Sequence, residues 1–470
     1  MWTAFALVVA VAISLLLGHA VRTATVGVMA AGRHPETLPP VPPTSWRVIV
    51  GGGALAFGGA AALLIATASS EARGAAPEPL TVVNSRGPVW LIALDGFDPA
   101  TYEQLEGSLP NLRAALNGRR FALAAQDTSD PARAWTTIAT GVPPDRHGVH
   151  AIETRRVPGL RGAVAGDTRF GRLLGAASDV VRLTRPSIVS SEQRKAKTIW
   201  EVAEDAGLRT AVINWWATWP APSKGGIVVT DRAVLRLEHG GALDAEIGPL
   251  DVYDSLSTLW PTIRANARAA ATAAFPDGND PHSAAILRRS AELDASIVGM
   301  AQSLSTRSVD LFVVYLPGLD IAQSALLGPT AGALSTSAMA ARVDALRAYY
   351  PFVDRILRPL IEWREYHKVT IVTQPGRVQT STGGLFAVAY ERAAPSSSRS
   401  PLDIAPTILA ALGLPLSREL VGQPMPFSFM PQAFRFVGSY GSPSVATTPR
   451  TGKPLDQEMI DRLRSLGYVK

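Results

Sequence analysis

From residue 89 onward, short and densely apolar runs alternate with segments of helical periodicity. The first run, 89–94, ends in Asp95-Gly96, the pattern of a buried strand leaving a sheet. Others follow at 119–126 (RRFALAAQ), 208–215 (LRTAVINW), 310–317 (DLFVVYLP), 368–374 (KVTIVTQ) and 385–391 (LFAVAYE). Helical patterns at about 283–304, 336–363 and 403–412 supply cover. Such alternation predicts an α/β fold with a mostly parallel sheet sandwiched by helices. In sheets of this kind chemistry gathers at the carboxyl ends of strands. Asp95, Asp320 and Gln374 all stand at such ends. Any one of them taken singly reads more readily as a turn or cap residue.

The 470 residues hold more than this domain. Two apolar stretches, 4–21 and 48–68, each have about the ~20 residues a helix needs to cross a bilayer. The first also suits a signal peptide, but no Lys or Arg precedes it and a second full-length stretch follows, so two transmembrane helices are expected. Gly51, Gly52, Gly53, Gly58 and Gly59 allow close helix approach in the second. Arg22, Arg33 and Arg47 lie between the stretches and Arg73 alone closely follows them, which places the connector in the cytoplasm and both termini outside. The expected organisation is a first span within 1–21, a Pro-rich cytoplasmic connector at 22–47, and a second span at 48–68. A tether at 69–87, an α/β domain with insertions at 88–425 and a C-terminal wrap and helix at 426–470 complete it. The expected location is a bacterial inner membrane with the large domain periplasmic. Lys and Arg number 45 against 39 Asp and Glu, a modest excess that suits anionic lipid surfaces and falls short of a nucleic-acid-binding tail. With no cysteine, disulfides and thiol catalysis are excluded.

WLIALDGFD (90–98), LPNLRAAL (109–116) and AWTTIATGVPPDRHGVH (134–150) resemble the opening of type I phosphodiesterase and nucleotide pyrophosphatase-like members of the alkaline phosphatase superfamily. Segments 198–222, 309–323, 402–415 and 463–470 resemble later family segments in the same order. The resemblance implies two divalent metals, typically zinc, ~4 Å apart, and a Thr or Ser nucleophile. By that resemblance Asp95 and Asp320 match ligand positions. Ser324, Gln374, Pro375 and Thr380 stand where the others would be.

The nucleophile's place falls at Pro131, with Ser129 and Thr128 just before it. Thr128-Ser129-Asp130 also reads as the N-cap of the following helix. Gln, Pro, Ser and Thr are poor zinc ligands, and replacing an acid by Gln lowers the cost of leaving a carboxylate cluster without cations. No metal or other cofactor is therefore expected. The histidines His19, His34, His147, His150, His239, His282 and His367 form no ligand spacing, and His147 reads as scaffold.

Three further segments stand out. Within 153–197, Phe170, Leu173, Leu174, Ala177, Val180 and Val181 fall at helical spacing beside Arg169, Arg172, Arg182 and Arg185. That pattern suits a membrane or partner contact as well as a helix packed on its own domain. Trp215, Trp216 and Trp219 read as pocket wall or core. The stretch 426–454 has no period and suits a surface wrap or a partner contact. Together these readings predict a membrane-anchored, phosphodiesterase-like pseudoenzyme that binds, scaffolds or serves a membrane complex, its partners being lipids and a protein. The rival expectation is a divergent metal-dependent phosphoric ester hydrolase or phosphotransferase.

Overall fold

Every residue of Val89–Asp95 (β1) is buried, because the strand runs down the middle of a sheet covered on both faces. In chain order there follow Arg119–Ala122 (β2), Glu153–Arg156 (β3), Arg185–Ile188 (β4), Thr210–Ile213 (β5), Ile227–Val229 (β6) and Ile247–Gly248 (β7). Leu311–Leu316 (β8), Lys368–Gln374 (β9), Leu385–Val388 (β10), Leu416–Ser417 (β11) and Phe436–Val437 (β12) complete the set. The central sheet has eight strands in the order β2-β10-β9-β1-β8-β5-β6-β7. Its middle, β9-β1-β8-β5-β6, is parallel, while β10 runs antiparallel to β9 and β7 antiparallel to β6. The expected sheet is thus present, with antiparallel edges.

Strand alternation divides the apolar residues between two cores. Trp90, Ile92 and Leu94 of β1 join Phe312, Val314 and Leu316 of β8 on one face, under the helices Pro110–Leu116, Leu250–Ala274, Pro281–Leu304 and Tyr349–Glu362. Val89, Leu91 and Ala93 join Leu311, Val313 and Tyr315 on the other, under Pro131–Thr140, Ile199–Asp205, Ile404–Ala411 and Asp456–Ser465. A period of two residues on strands buried on both sides produces this division.

The structure, a computed structural model, has two compact units, Met1–Ala76 and Pro77–Lys470. It describes His19 and Thr23 of the first and residues 79–468 of the second. The exceptions in the second are 84–86, 118, 157–184, 223–224, 279, 329–331, 333, 363–367, 379–381, 390, 392–397, 444–454 and 466–467. The apolar stretches 4–21 and 48–68, apart from His19, lie outside the described residues. Among those described, no helix is long and apolar enough to cross a membrane.

Several expectations are refined. The helical pattern at 336–363 is two helices, Thr336–Arg347 and Tyr349–Glu362. Arg169, Arg172 and Arg182 lie outside the described residues, whereas Arg185 opens β4 and pairs in register with Arg156, in a strand rather than on a helix flank. In the region expected to wrap the surface, Phe427 is buried and β12 pairs with β11.

Candidate functional site

Asp95 and Gln374 end adjacent strands and stand in register with each other. Asp320 reaches the same spot from the first turn of Gly318–Leu327, the helix that follows β8. Two glycines let these three loops converge. A Cβ on Gly96, whose φ is +80°, would lie 2.3 Å from the Asp320 nitrogen. One on Gly376, at φ +82°, would lie 2.6 Å from Asp320 Oδ1 and 2.9 Å from the Gly96 Cα. Only a residue without a side chain fits at either place.

The two carboxyls are handled in opposite ways. Asp320 is fully buried and ion-paired: its Oδ2 accepts from Arg377 Nε at 2.8 Å and its Oδ1 from the Arg377 backbone N–H at 2.7 Å. Asp95 has no ion pair among the described residues. Its Oδ1 accepts from the Gly96 N–H at 3.1 Å and its Oδ2 from the Tyr315 hydroxyl at 2.7 Å, and that hydroxyl accepts in turn from Trp216 Nε1 at 2.9 Å. Burial, reinforced by the nearby Asp320 charge, pushes the Asp95 carboxyl up to about 8, against hydrogen bonds from Tyr315 and Trp135 and the Arg377 charge. At neutral pH the site holds a largely neutral acid beside an internal ion pair, so its charge is balanced by the protein alone.

Around this pair lies an aromatic wall. The Arg377 guanidinium lies over the Tyr468 ring, 3.9 Å from its centroid, and Tyr468 packs edge-on against Trp216 at 5.3 Å. Trp135 meets Tyr315 and Trp215 edge-on at 5.1 and 5.4 Å. Trp215, Trp216 and Trp219 are all buried, as wall and core.

Three of the four substituted ligand positions are described. Gln374 is buried, and neither Nε2 nor Oε1 of its amide has a hydrogen-bond partner among the described residues. Ser324 and Pro375 are also buried, and Thr380 lies outside the described residues. Gln323, unremarked in the sequence, donates from Nε2 to the Gly96 carbonyl at 2.6 Å. Pro131 is the first residue of Pro131–Thr140 and has no hydroxyl. The cap of that helix is Asp130, whose Oδ1 accepts from the Arg133 N–H at 3.1 Å and Oδ2 from the Ile152 N–H at 2.8 Å. Thr128 and Ser129, grouped with it as cap residues, do other things. Buried Thr128 donates to the Gly376 carbonyl at 2.7 Å, and exposed Ser129 accepts from Arg133 Nη2 at 3.0 Å.

His147 is fully buried, its Nδ1 accepting from the Val149 N–H at 3.1 Å and its Nε2 3.0 Å from the Thr137 hydroxyl. Burial first, then the charges of His150, Arg194 and Arg133, push its imidazole down to about 3, so the ring is neutral.

Two divalent ions do not fit this donor set. Among the described residues no three His, Cys, Asp or Glu side chains come together to hold a metal. A guanidinium already occupies one of the two remaining carboxylates, and a hydroxyl and an amide stand where stronger donors would be needed. Arg377 and Tyr468 were not singled out by sequence reasoning. The available signal was an arginine three residues beyond Gln374, in the loop where the resemblance puts Gln374 and Pro375 at ligand positions.

An α/β sandwich with a carboxylate site at the carboxyl edge of a parallel sheet, reduced to two acids, is the class this geometry defines. Residues 89–373 match the family described as Type I phosphodiesterase / nucleotide pyrophosphatase, and the chain belongs to that family. No curated protein matches the sequence. Among solved structures it is similar to phosphonoacetate hydrolase from Sinorhizobium meliloti 1021, at 16% identity and TM-score 0.36, over 64% of this chain and 60% of that one. It is also similar to a protein of Bacteroides thetaiotaomicron VPI-5482 assigned as a sulfatase, at 12% identity and TM-score 0.41, over 72% and 74% of the two chains. A 2-O GAG sulfatase matches at 11% identity and TM-score 0.42, over 72% and 73%. The chain thus spans about 60% of the length of the hydrolase.

Proposed function

We propose that this protein is a non-catalytic member of its family, a membrane-anchored domain that binds or scaffolds rather than hydrolyses. The observation that carries the reading is the Arg377–Asp320 ion pair at 2.8 Å. A guanidinium fixed on a remnant ligand supplies the positive charge that divalent ions would otherwise bring, and Tyr468 covers its face. Removing only the ligands would leave buried acids uncompensated; here the remaining acids are respectively paired and kept neutral, which is self-consistent without metal. The nucleophile position supports the same reading, since Pro131 cannot attack phosphorus. The anchor in this proposal is the pair of apolar stretches at 4–21 and 48–68, which sets the domain in the periplasm beside lipid and a protein partner of the same membrane.

The test is direct. Purified full-length protein is assayed for zinc, manganese and calcium and for turnover of bis(4-nitrophenyl) phosphate with each metal added. The expected result is no stoichiometric metal, no turnover and a thermal midpoint unmoved by chelator, because nothing that stabilises the native state is withdrawn. A metal-dependent hydrolysis abolished by both Asp95→Ala and Ser129→Ala would establish the rival hydrolase.

A further inference from the structure

Away from the remnant site, a groove of about 500 Å³ opens between helices. Its walls are Ala233–His239, Leu250–Ala274, Pro281–Leu304 and Asp456–Ser465. The volume is that of a small-ligand site. Four guanidiniums face it, those of Arg264, Arg268, Arg289 and Arg462.

The acids in the groove do not match them. Glu238 is shared, 2.5 Å from Arg462 and 3.6 Å from Arg264. Glu292 is shared likewise, 3.3 Å from Arg268 and 3.6 Å from Arg264. Asp461, on the rim, pairs with Arg464 at 2.9 Å. Arg289 is exposed and makes no ion pair or hydrogen bond among the described residues. Ser290, which also lines the groove, is 1% exposed, and its hydroxyl has no hydrogen-bond partner among the described residues. A buried hydroxyl without a partner is uncommon, and one lining a groove rich in guanidinium N–H groups is a donor awaiting an acceptor.

We propose that this groove binds an oxyanion of the phosphomonoester type, carried by a free small molecule or by a lipid headgroup. Guanidinium forks match the paired oxygens of such a group, and a dianion answers the positive excess better than a single carboxylate does. Ser290 supplies one further hydrogen bond, while Trp260, Leu235 and Leu293 give the groove an apolar side against which an attached organic group packs. The site shares no residue with Asp95, Asp320 or Arg377, so it stands whether or not the family chemistry has been lost.

The experiment titrates full-length protein, in nonionic detergent, with three probes by calorimetry. These are inorganic phosphate, dihexanoyl phosphatidic acid, and dihexanoyl phosphatidylcholine as a headgroup that is not a monoester. Saturable binding of phosphate alone identifies a free oxyanion, of phosphatidic acid alone a lipid headgroup, and both outcomes support the site. Arg289→Glu, an exposed change that leaves the fold intact by circular dichroism, is expected to weaken that binding at least tenfold. Arg358→Glu, outside the groove, should leave it unchanged. Binding should also weaken as salt rises. The proposal is overturned if neither phosphate nor phosphatidic acid binds, if phosphatidylcholine binds equally well, or if folded Arg289→Glu protein binds as tightly as the parent.

Discussion

Asp294 is a further buried carboxyl, with its Oδ1 accepting from the Gly318 N–H at 2.8 Å and its Oδ2 from the Tyr349 hydroxyl at 3.0 Å. Burial pushes it up to about 7, against those two hydrogen bonds, from 3.8 in an unfolded chain. Between those values the folded protein holds a proton the unfolded chain has released. The stability this group contributes is therefore complete below about pH 4 and is lost as pH rises through 7. Asp294→Asn keeps both contacts, the amide oxygen accepting from Gly318 and the amide nitrogen donating to Tyr349, while removing the charge. The variant is expected to match the parent near pH 4 and to exceed it at pH 8 by on the order of a few kcal/mol. Denaturant midpoints at pH 5 and pH 8 check this; an Asn effect independent of pH would contradict it. Asp95 and Asp320 were legible at this scale because a polar residue at the end of an apolar run announces itself. Arg377 was not, because its role depends on where Gly376 lets the loop turn, which local sequence does not reveal.

At the scale of elements, the C-terminal helix Asp456–Ser465 holds the cover of the remnant site in place. Met459, Ile460 and Leu463 are buried against the second core, and the Tyr468 N–H bonds back to the Leu463 carbonyl at 2.8 Å, turning the chain toward Arg377. Arg462–Glu238 at 2.5 Å and His239–Glu458 at 3.1 Å tie the helix to Ala233–His239. Leu463→Ala should cost about 2–3 kcal/mol in local stability. Hydrogen exchange should rise in Asp456–Ser465 well before β1 or β8 exchanges, since a peripheral element opens at lower free energy than the core. Uniform acceleration across the domain would show that the helix is not a separable cover. Strands β1, β2, β5, β8, β9 and β10 were legible from their apolar runs. Leu250–Ala274 was not, although its buried residues Val252, Leu256, Trp260, Ala267 and Ala271 fall at helical spacing, because Pro261 interrupts it and alanines dilute the stripe. The short β6 and β7, at Ile227–Val229 and Ile247–Gly248, lacked enough residues to show a period.

For the whole molecule, the proposed anchor and the folded domain fall in different compact units. Pro77–Lys470 carries its own two cores, and its exposed large apolar residues, Val83, Leu250, Leu259, Met339, Val421 and Phe436 among those described, are scattered along the sequence. Single exposed apolar residues are ordinary on a protein surface and do not hold a domain in a bilayer. The long apolar stretches lie instead in Met1–Ala76. Deleting residues 1–76 is therefore expected to move the chain from the membrane pellet to the supernatant while its thermal midpoint stays within a few degrees of that of the full chain. Orientation is tested separately, through Arg22, Arg33 and Arg47, which favour a cytoplasmic connector. In sealed right-side-out vesicles, added protease should cut exposed loops of 77–470 and spare 22–47. Cleavage within 22–47 of otherwise intact protein would reverse the topology, and continued pelleting of the truncated chain at high salt would place the anchor in the second unit.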